Sequence, residues 1–553
     1  MASLLPAARP RRVRRSVPLR RHLLPGGLQS CIVLVLGALL IKEAVARRSV
    51  RGVLVGFVFT LPLTLAAWIS GAERVPTSHE PPYIVAAAGI GLPGFGAGYQ
   101  LNDYAVAHVP VGVVGVALDL IPLSRRIRPR LMTWHSRHST HRQSTHDIAE
   151  ERTVTLLSEQ AAPNKSGASY PVARYARHDA YFRAHDLQTP CLLLDLDMVA
   201  EHYRALREAL PGADVYYAVK AGAAPELLRL LVRLGCGFDV ASTGEIDMCL
   251  AAGADPELLS FGNTVKKHAA IEDAWRRGVK LFAFDSPEEL TKIAAAAPGA
   301  SVVCRITVET TGAQWPISRK FGCGEPERAV ELLVKAHRLG LRPKALTFHV
   351  GSQQREPENW DIGISRCATV TRELAARGIE IELLNLGGGL PSRYDDALPR
   401  LTAYADAIHA SLARHYPSTP RLIIEPGRYL PGDAGLIRSE VVLATTRGAG
   451  KRWVYVDIGR FGGLAETEGE AIRFPLIALR GGRLLGSQLS PAVLAGPTCD
   501  SADVLYEREP RRLPVDLTAG DQLDFLATGA YTAPYCSVGF NGFEPLRTYC
   551  FGG

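Results

Sequence analysis

Beyond Thr189 the chain settles into a rhythm: short apolar runs bounded by turn residues alternate with stretches whose apolar positions recur at helical spacing. CLLLDL is followed by VAEHYRALREAL, VYYAVK by PELLRLLVRLG, and FDVAS by GEIDMCLAAG. Further runs follow at LLSFG, LFAFD, SVVCRIT, ALTFHVG, ELLNLGGG and RLIIEPG. Short apolar runs rich in β-branched and aromatic residues read as buried strands, and the 3.6-residue period reads as helices laid over them. About eight such β-α units predict an α/β fold, a (β/α)8 TIM barrel over residues 171–430. An open doubly wound sheet is the alternative. After Gly432 the helical period fades, and RSEVVLATT, RWVYVDI, LIALR and LDFLATG predict a β-domain over residues 431–553.

The first part of the chain follows neither rhythm. Leu23–Ile41, Gly52–Ala72, Pro81–Asn102 and Tyr104–Leu123 are almost free of charge. Each approaches the length that spans the roughly 30 Å of a bilayer core at about 1.5 Å per residue. Residues 1–123 are therefore expected to supply a basic leader and two to four membrane spans. The third stretch is rich in Gly and Pro and the fourth contains His108 and Pro110, so re-entrant segments or an apolar hairpin stay open for these two. A second alternative is a start site placed too far upstream. Residues 124–170 read as a basic linker whose His135, His138, His141 and His146 lack the setting of a metal site. Gly89-Ile-Gly91-Leu-Pro-Gly94 matches a dinucleotide fingerprint only in spelling, since no strand precedes it and Pro93 interrupts the helix start.

Charge sharpens this division. The 553 residues carry 63 Lys+Arg and 55 Asp+Glu, a formal net charge of +8, but residues 1–160 have a net charge of +10 and the remainder −2. The basicity thus belongs to the apolar leader and points to an anionic membrane surface as its partner. Nucleic acid is not expected, because the near-neutral remainder has no basic-aromatic interleaving. Ten cysteines are scattered without a CxxC pair, which predicts reduced thiols, a cytoplasmic catalytic part and no structural zinc.

Barrel chemistry collects at the C-terminal ends of strands, and there the sequence places its unusual residues. Lys220 closes VYYAVK, where an apolar setting is expected to lower its pKa and expose a nucleophilic amine. His349 closes LTFHV, and Gly387-Gly388-Gly389 closes LLNL with bare backbone N–H groups suited to a phosphate. Glu425 closes LIIE, with Arg428 three residues on. An amine, a planar ring, a phosphate cradle and a carboxylate on strand ends together describe a pyridoxal phosphate site.

Seven motifs in order, YYAVKAG, FDVASTGEI, HVGSQ, LNLGGGLP, IIEPGRYL, GPTCDSADVL and GAYT with FNGF, resemble the fold-type III pyridoxal phosphate decarboxylases of ornithine, lysine, diaminopimelate and arginine. The resemblance covers about residues 185–550. It implies an alanine-racemase-like barrel followed by a β-domain, to which residues 171–189 add a strand, and a head-to-tail homodimer with shared active sites. By the same resemblance Lys220 forms the Schiff base, Glu425 pairs with the pyridinium nitrogen and His349 stacks on the ring. Ser352, Gly387, Gly388, Gly389, Gly427, Arg428 and Tyr531 correspond to phosphate binders, and Asp239, Glu245 and Arg305 to positions beside the ring. Cys499 corresponds to the residue, supplied by the second subunit, that returns a proton to Cα, and Asp500 to the one that binds the substrate's distal amine.

Diaminopimelate enzymes show Cys-Glu-Ser-x-Asp where this chain has Cys499-Asp500-Ser501-Ala502-Asp503, so the resemblance favours a diamine-forming enzyme. Tyr455–Thr467 and Glu470–Pro475 resemble the bacterial ornithine/lysine branch, with Glu466 or Glu470 as a second amine ligand. Gln314–Gly322 resembles that branch's mobile segment near the site. The expected reaction converts L-ornithine or L-lysine to putrescine or cadaverine and CO2. Another basic amino acid, or a catalytically silent homologue of the antizyme-inhibitor type, are the alternatives.

Overall fold

In the computed structural model, residues 172–315, 320–394, 398–486 and 488–553 are described. The four apolar stretches and the basic linker lie outside the described residues. Among the described residues, no helix is long and apolar enough to cross a membrane.

The described chain begins with helix α1 (Val172–Ala184) and strand β1 (Cys191–Asp195). Helix α2 (Leu196–Ala209) starts where the Asp195 carboxylate accepts the N–H groups of Asp197 and Met198, the ordinary way to satisfy free donors at a helix start. Strands β2 (Ala213–Ala218), β3 (Gly237–Val240), β4 (Leu259–Phe261), β5 (Leu281–Phe284) and β6 (Ser301–Arg305) follow, each pairing in parallel with the next. A short strand β7 (Ala313–Trp315) pairs antiparallel with β9 (Ser352–Gln354) outside the barrel. Strands β8 (Arg342–Thr347), β10 (Leu383–Asn385) and β11 (Arg421–Ile424) complete the ring, with β6 against β8 and β11 against β2. The eight parallel strands form a closed barrel, so the open-sheet alternative does not hold.

Two layers of apolar side chains account for this closure. Leu281, Ala283, Val303, Ala345, Leu383 and Ile423 fill the interior and make it a packed floor. The other strand faces pack against the surrounding helices, burying Phe238, Phe282, Phe284 and Leu346 completely. Helix α3 (Pro225–Arg233) buries Leu227, Leu228, Leu230 and Leu231, the stripe its sequence predicts.

From Gly435 the chain adds eight strands to β1 to form a nine-stranded sheet around the long strand β12 (Gly435–Arg447). Here the structure corrects two expectations. CLLLDL is not a barrel strand: β1 pairs antiparallel with β12, Cys191 opposite Arg438, and in parallel with the last strand, β13 (Arg547–Phe551). All five of its residues are buried, and Leu194 joins the barrel core while Leu192 and Leu193 join that of the β-domain. Such a two-sided strand has no alternation to show which sheet it joins. Residues 172–184 do pack on the β-domain, but as helix α1 instead of a strand.

A buried ion pair fixes that helix. Arg438 donates from Nε and Nη2 to Asp524 at 2.8 and 2.7 Å, Tyr175 of α1 donates to the same carboxylate at 3.0 Å, and the Phe182 ring lies 3.9 Å from the guanidinium. Asp524→Ala strands a buried cation and is expected to cost about 3–5 kcal/mol. Urea unfolding followed by tryptophan fluorescence measures it, and an unchanged midpoint would contradict this role for the pair.

Candidate active site

The barrel geometry turns eight strand ends toward one mouth. Lys220 lies in a single 3-10 turn directly after β2, Asp239 is inside β3, and Arg305 ends β6. His349 follows β8 by two residues, Asn385 ends β10 just before Gly387–Gly389, and Glu425 follows β11. With Ser352, Gly427, Arg428 and Tyr531 these residues, apart from Gly387, which is not part of the lining, line one cleft of about 490 Å³.

Lys220 donates from Nζ to Asp239 Oδ2 at 2.9 Å. Half of its side chain faces the cleft, 52% exposed, whereas Asp239 is enclosed. Gly262 makes room for that carboxylate, since a Cβ there would lie 1.9 Å from Asp239 Oδ1. Burial acts to lower the Lys220 pKa, but Asp239, Tyr531 and Glu425 outweigh it and raise the pKa above the ordinary lysine value. The expected depression is thus reversed: the cleft around Lys220 is acidic, not apolar.

Glu425 is the complementary case. Burial and the nearby Asp239 raise its carboxyl to about 7, against the pull of Asn385, Lys220 and Arg305. Asn385 donates to Glu425 Oε1 at 2.5 Å and accepts the Gly387 N–H at 2.9 Å. One buried amide therefore ties the carboxylate to the glycine turn. Asn385 was not among the sequence candidates, and its only signal was its place before the three glycines. His349 packs on the Gly388 backbone, and burial beside Arg305 and Lys220 lowers its pKa to about 3, which keeps the ring neutral.

The glycines are demanded by close approach. Gly387 has φ +66, and a Cβ there would meet the Phe348 carbonyl at 1.9 Å. At Gly427 a Cβ would lie 2.5 Å from the Tyr531 hydroxyl. Arg428, 2% exposed, is paired through both terminal nitrogens with Glu466, at 2.8 and 2.6 Å.

Comparison with known proteins fits this geometry. Residues 196–432 match the family model of the pyridoxal-dependent decarboxylase pyridoxal-binding domain. The lysine/ornithine decarboxylase of Selenomonas ruminantium is 34% identical over an alignment covering 66% of this chain and 91% of that one. The chain belongs to the pyridoxal-dependent decarboxylases. A crystal structure of lysine/ornithine decarboxylase from Vibrio vulnificus, complexed with cadaverine, superposes with a TM-score of 0.61 at 31% identity, over 68% of this chain and 98% of that one. Antizyme inhibitor 2 of Xenopus laevis is 31% identical over 63% of this chain and 77% of its own.

As a pyridoxal-dependent decarboxylase the protein uses pyridoxal phosphate, and the cleft fits it. It offers a lysine amine, a carboxylate, a neutral imidazole, a turn that excludes side chains, and a buried guanidinium. Other predicted residues stand elsewhere. Cys499 and Asp500 sit on an exposed turn outside the cleft lining, where the Cys499 N–H donates to Asn541 Oδ1 at 2.9 Å and Asp500 accepts from Ala502. Glu470 does not reach the cleft: its carboxylate pairs with Arg473 at 2.9 Å and accepts the Arg508 N–H at 2.6 Å. Glu245 lies outside the lining too and accepts the Ala241 N–H at the start of helix α4 (Thr243–Ala251). Glu466 is spent on Arg428 and is not free to take an amine.

Two buried groups give opposite pH signatures. Glu425 holds in the folded state a proton that the unfolded chain releases, so its contribution to stability falls as pH rises from about 4.5 to 7. His349 refuses folded a proton that the unfolded chain binds, so its contribution rises with pH from about 3 to 6.5. In cofactor-free protein, Glu425→Gln is expected to steepen the rise of melting temperature between these limits, and His349→Asn to flatten it. Identical slopes in the parent and both variants would refute the two assignments.

Proposed function

We propose that this decarboxylase acts on L-ornithine, L-lysine or both, releasing CO2 and leaving putrescine or cadaverine. Asp500 beside Cys499 carries the substrate choice: a short carboxylate on an exposed turn suits an ammonium far from the reacting carbon through a charge-assisted hydrogen bond. The similarity to a lysine/ornithine decarboxylase supports the same choice.

When bound, pyridoxal phosphate supplies a ring that takes up the electron pair left at Cα as CO2 departs. Lys220 would provide the amine that anchors it, and the glycine turn with Arg428, Ser352 and Tyr531 would hold its phosphate. Glu425 would pair with its ring nitrogen, and the neutral His349 would face the ring without adding charge. The thiol of Cys499 from a second copy then hands a proton to Cα. The placement of Cys499 and Asp500 outside their own protomer's cleft supports a head-to-tail homodimer with composite sites. Similarity to antizyme inhibitor 2 favours a second reading, a silent homologue, against which the intact Lys220, Glu425 and Cys499 weigh.

The full chain is expected to show a visible absorbance band from lysine-bound cofactor that Lys220→Ala abolishes, and to release CO2 fastest from ornithine or lysine. No band with added cofactor would defeat the enzymatic reading, and faster release from diaminopimelate would defeat the argument from Asp500. Cys499→Ala is expected to lose roughly 100-fold or more of the activity. Mixed with the Lys220→Ala variant it regains activity, because one site of each mixed dimer is whole. Absence of recovery after proven subunit exchange would place Cys499 in its own protomer's site.

A further inference from the structure

Every donor on Arg428 is committed, and the way it is committed separates the guanidinium into two edges. Of its five N–H groups, the far edge uses Nη1 to reach Tyr394 Oη at 2.7 Å and Glu466 Oε2 at 2.8 Å, while Nη2 reaches Glu466 Oε1 at 2.6 Å. On the near edge, Nε and the second Nη2 hydrogen both point at a single acceptor, Ser352 Oγ, at 3.3 and 3.1 Å. The two edges differ in strength. The far edge is a bidentate pair between groups each 2% exposed, and the near edge is a shared, longer contact to one neutral hydroxyl.

The elements behind these contacts differ as well. Arg428 follows barrel strand β11, whereas Glu466 sits in a 3-10 segment of the β-domain, Ala465–Glu470. The Arg428 guanidinium also lies 4.7 Å from the ring of Tyr531, another β-domain residue, whose backbone N–H donates to Ala221 beside Lys220. The β-domain therefore sets the angle at which a barrel arginine faces the cleft. Burial alone would disfavour the guanidinium, and the surrounding Tyr394, Glu466 and Tyr531 hold it charged.

We propose that Glu466 is a positioning residue for the cofactor phosphate: with Tyr394 it clamps the far edge of Arg428 and leaves the Nε–Nη2 edge as the one surrendered by Ser352 when a phosphate arrives. This rests on the reading that Arg428 holds the phosphate. Glu466 replaces net charge by direction. Its carboxylate cancels the arginine's charge, so the phosphate is gripped by two aimed N–H groups and by the backbone of the glycine turn.

The test compares pyridoxal phosphate with pyridoxal, which lacks only the phosphate, by absorbance and fluorescence titration of the cofactor-stripped full chain. Glu466→Gln keeps the shape but removes one charged acceptor and turns an amide against the guanidinium. It is expected to weaken pyridoxal phosphate on the order of ten- to hundredfold, leaving pyridoxal within twofold of the parent. Tyr394→Phe, a milder change on the same edge, shifts the affinity in the same direction by less. Equal losses for both ligands, no loss, or tighter phosphate binding from the removed charge would each overturn the proposal. Arg428→Ala separates it from the reading beneath it. If that variant binds pyridoxal phosphate as the parent does, Arg428 does not hold the phosphate. If it loses affinity and Glu466→Gln does not, only the positioning role fails.

Discussion

The contact on which the site depends is the 2.9 Å pair between Lys220 and Asp239 at the mouth of the closed barrel. A carboxylate as enclosed as Asp239 would by itself carry a large desolvation cost, and the half-exposed Lys220 ammonium reduces it. The pair draws in what surrounds it. Gly262 leaves room for Asp239, Glu425 protonates near pH 7 because it is buried and a second carboxylate is close, and His349 stays neutral because it is buried and two cations face it. In such a cluster burial and mutual placement together set where protons reside, so the proton affinities of Lys220, Glu425 and His349 depart from those of the free side chains.

The barrel supplies strand ends, but the β-domain finishes the site. Strand β1 belongs to the β-domain sheet while one of its leucines joins the barrel core, so the two parts share a hydrophobic seam. Across that seam come Tyr531, whose hydroxyl occupies the space left by Gly427, and Glu466, which clamps Arg428. The arrangement divides the labour: the barrel positions groups along strands of fixed register, and the β-domain turns the long, flexible arginine into a directed donor.

Much of this was legible in advance. Eight of the nine apolar runs are barrel strands, and Lys220, His349, Gly388, Gly389 and Glu425 meet in one cleft as their strand-end positions predict, with Gly387 outside its lining. The ninth run, CLLLDL, misled because a strand buried on both faces shows no alternation. The proton affinity of Lys220 misled for a different reason: Asp239 and Glu425 are 19 and 205 positions away in sequence, and only folding brings them near. Asn385 escaped notice because an amide carries no charge and no reactive group, although it joins Glu425 to the glycine turn. Glu470 looked available and is consumed by Arg473 and the backbone at Arg508.

The sequence by itself determined the barrel, the family and the lysine at the end of β2, because strand periodicity, turn chemistry and motif order are local properties written in consecutive residues. Tertiary structure alone decided which sheet takes β1, which carboxylates surround Lys220, and that Glu466 serves the arginine instead of an amine. Those outcomes depend on distances between residues far apart in the chain, and in a low-dielectric cleft such distances govern both proton affinity and partner choice.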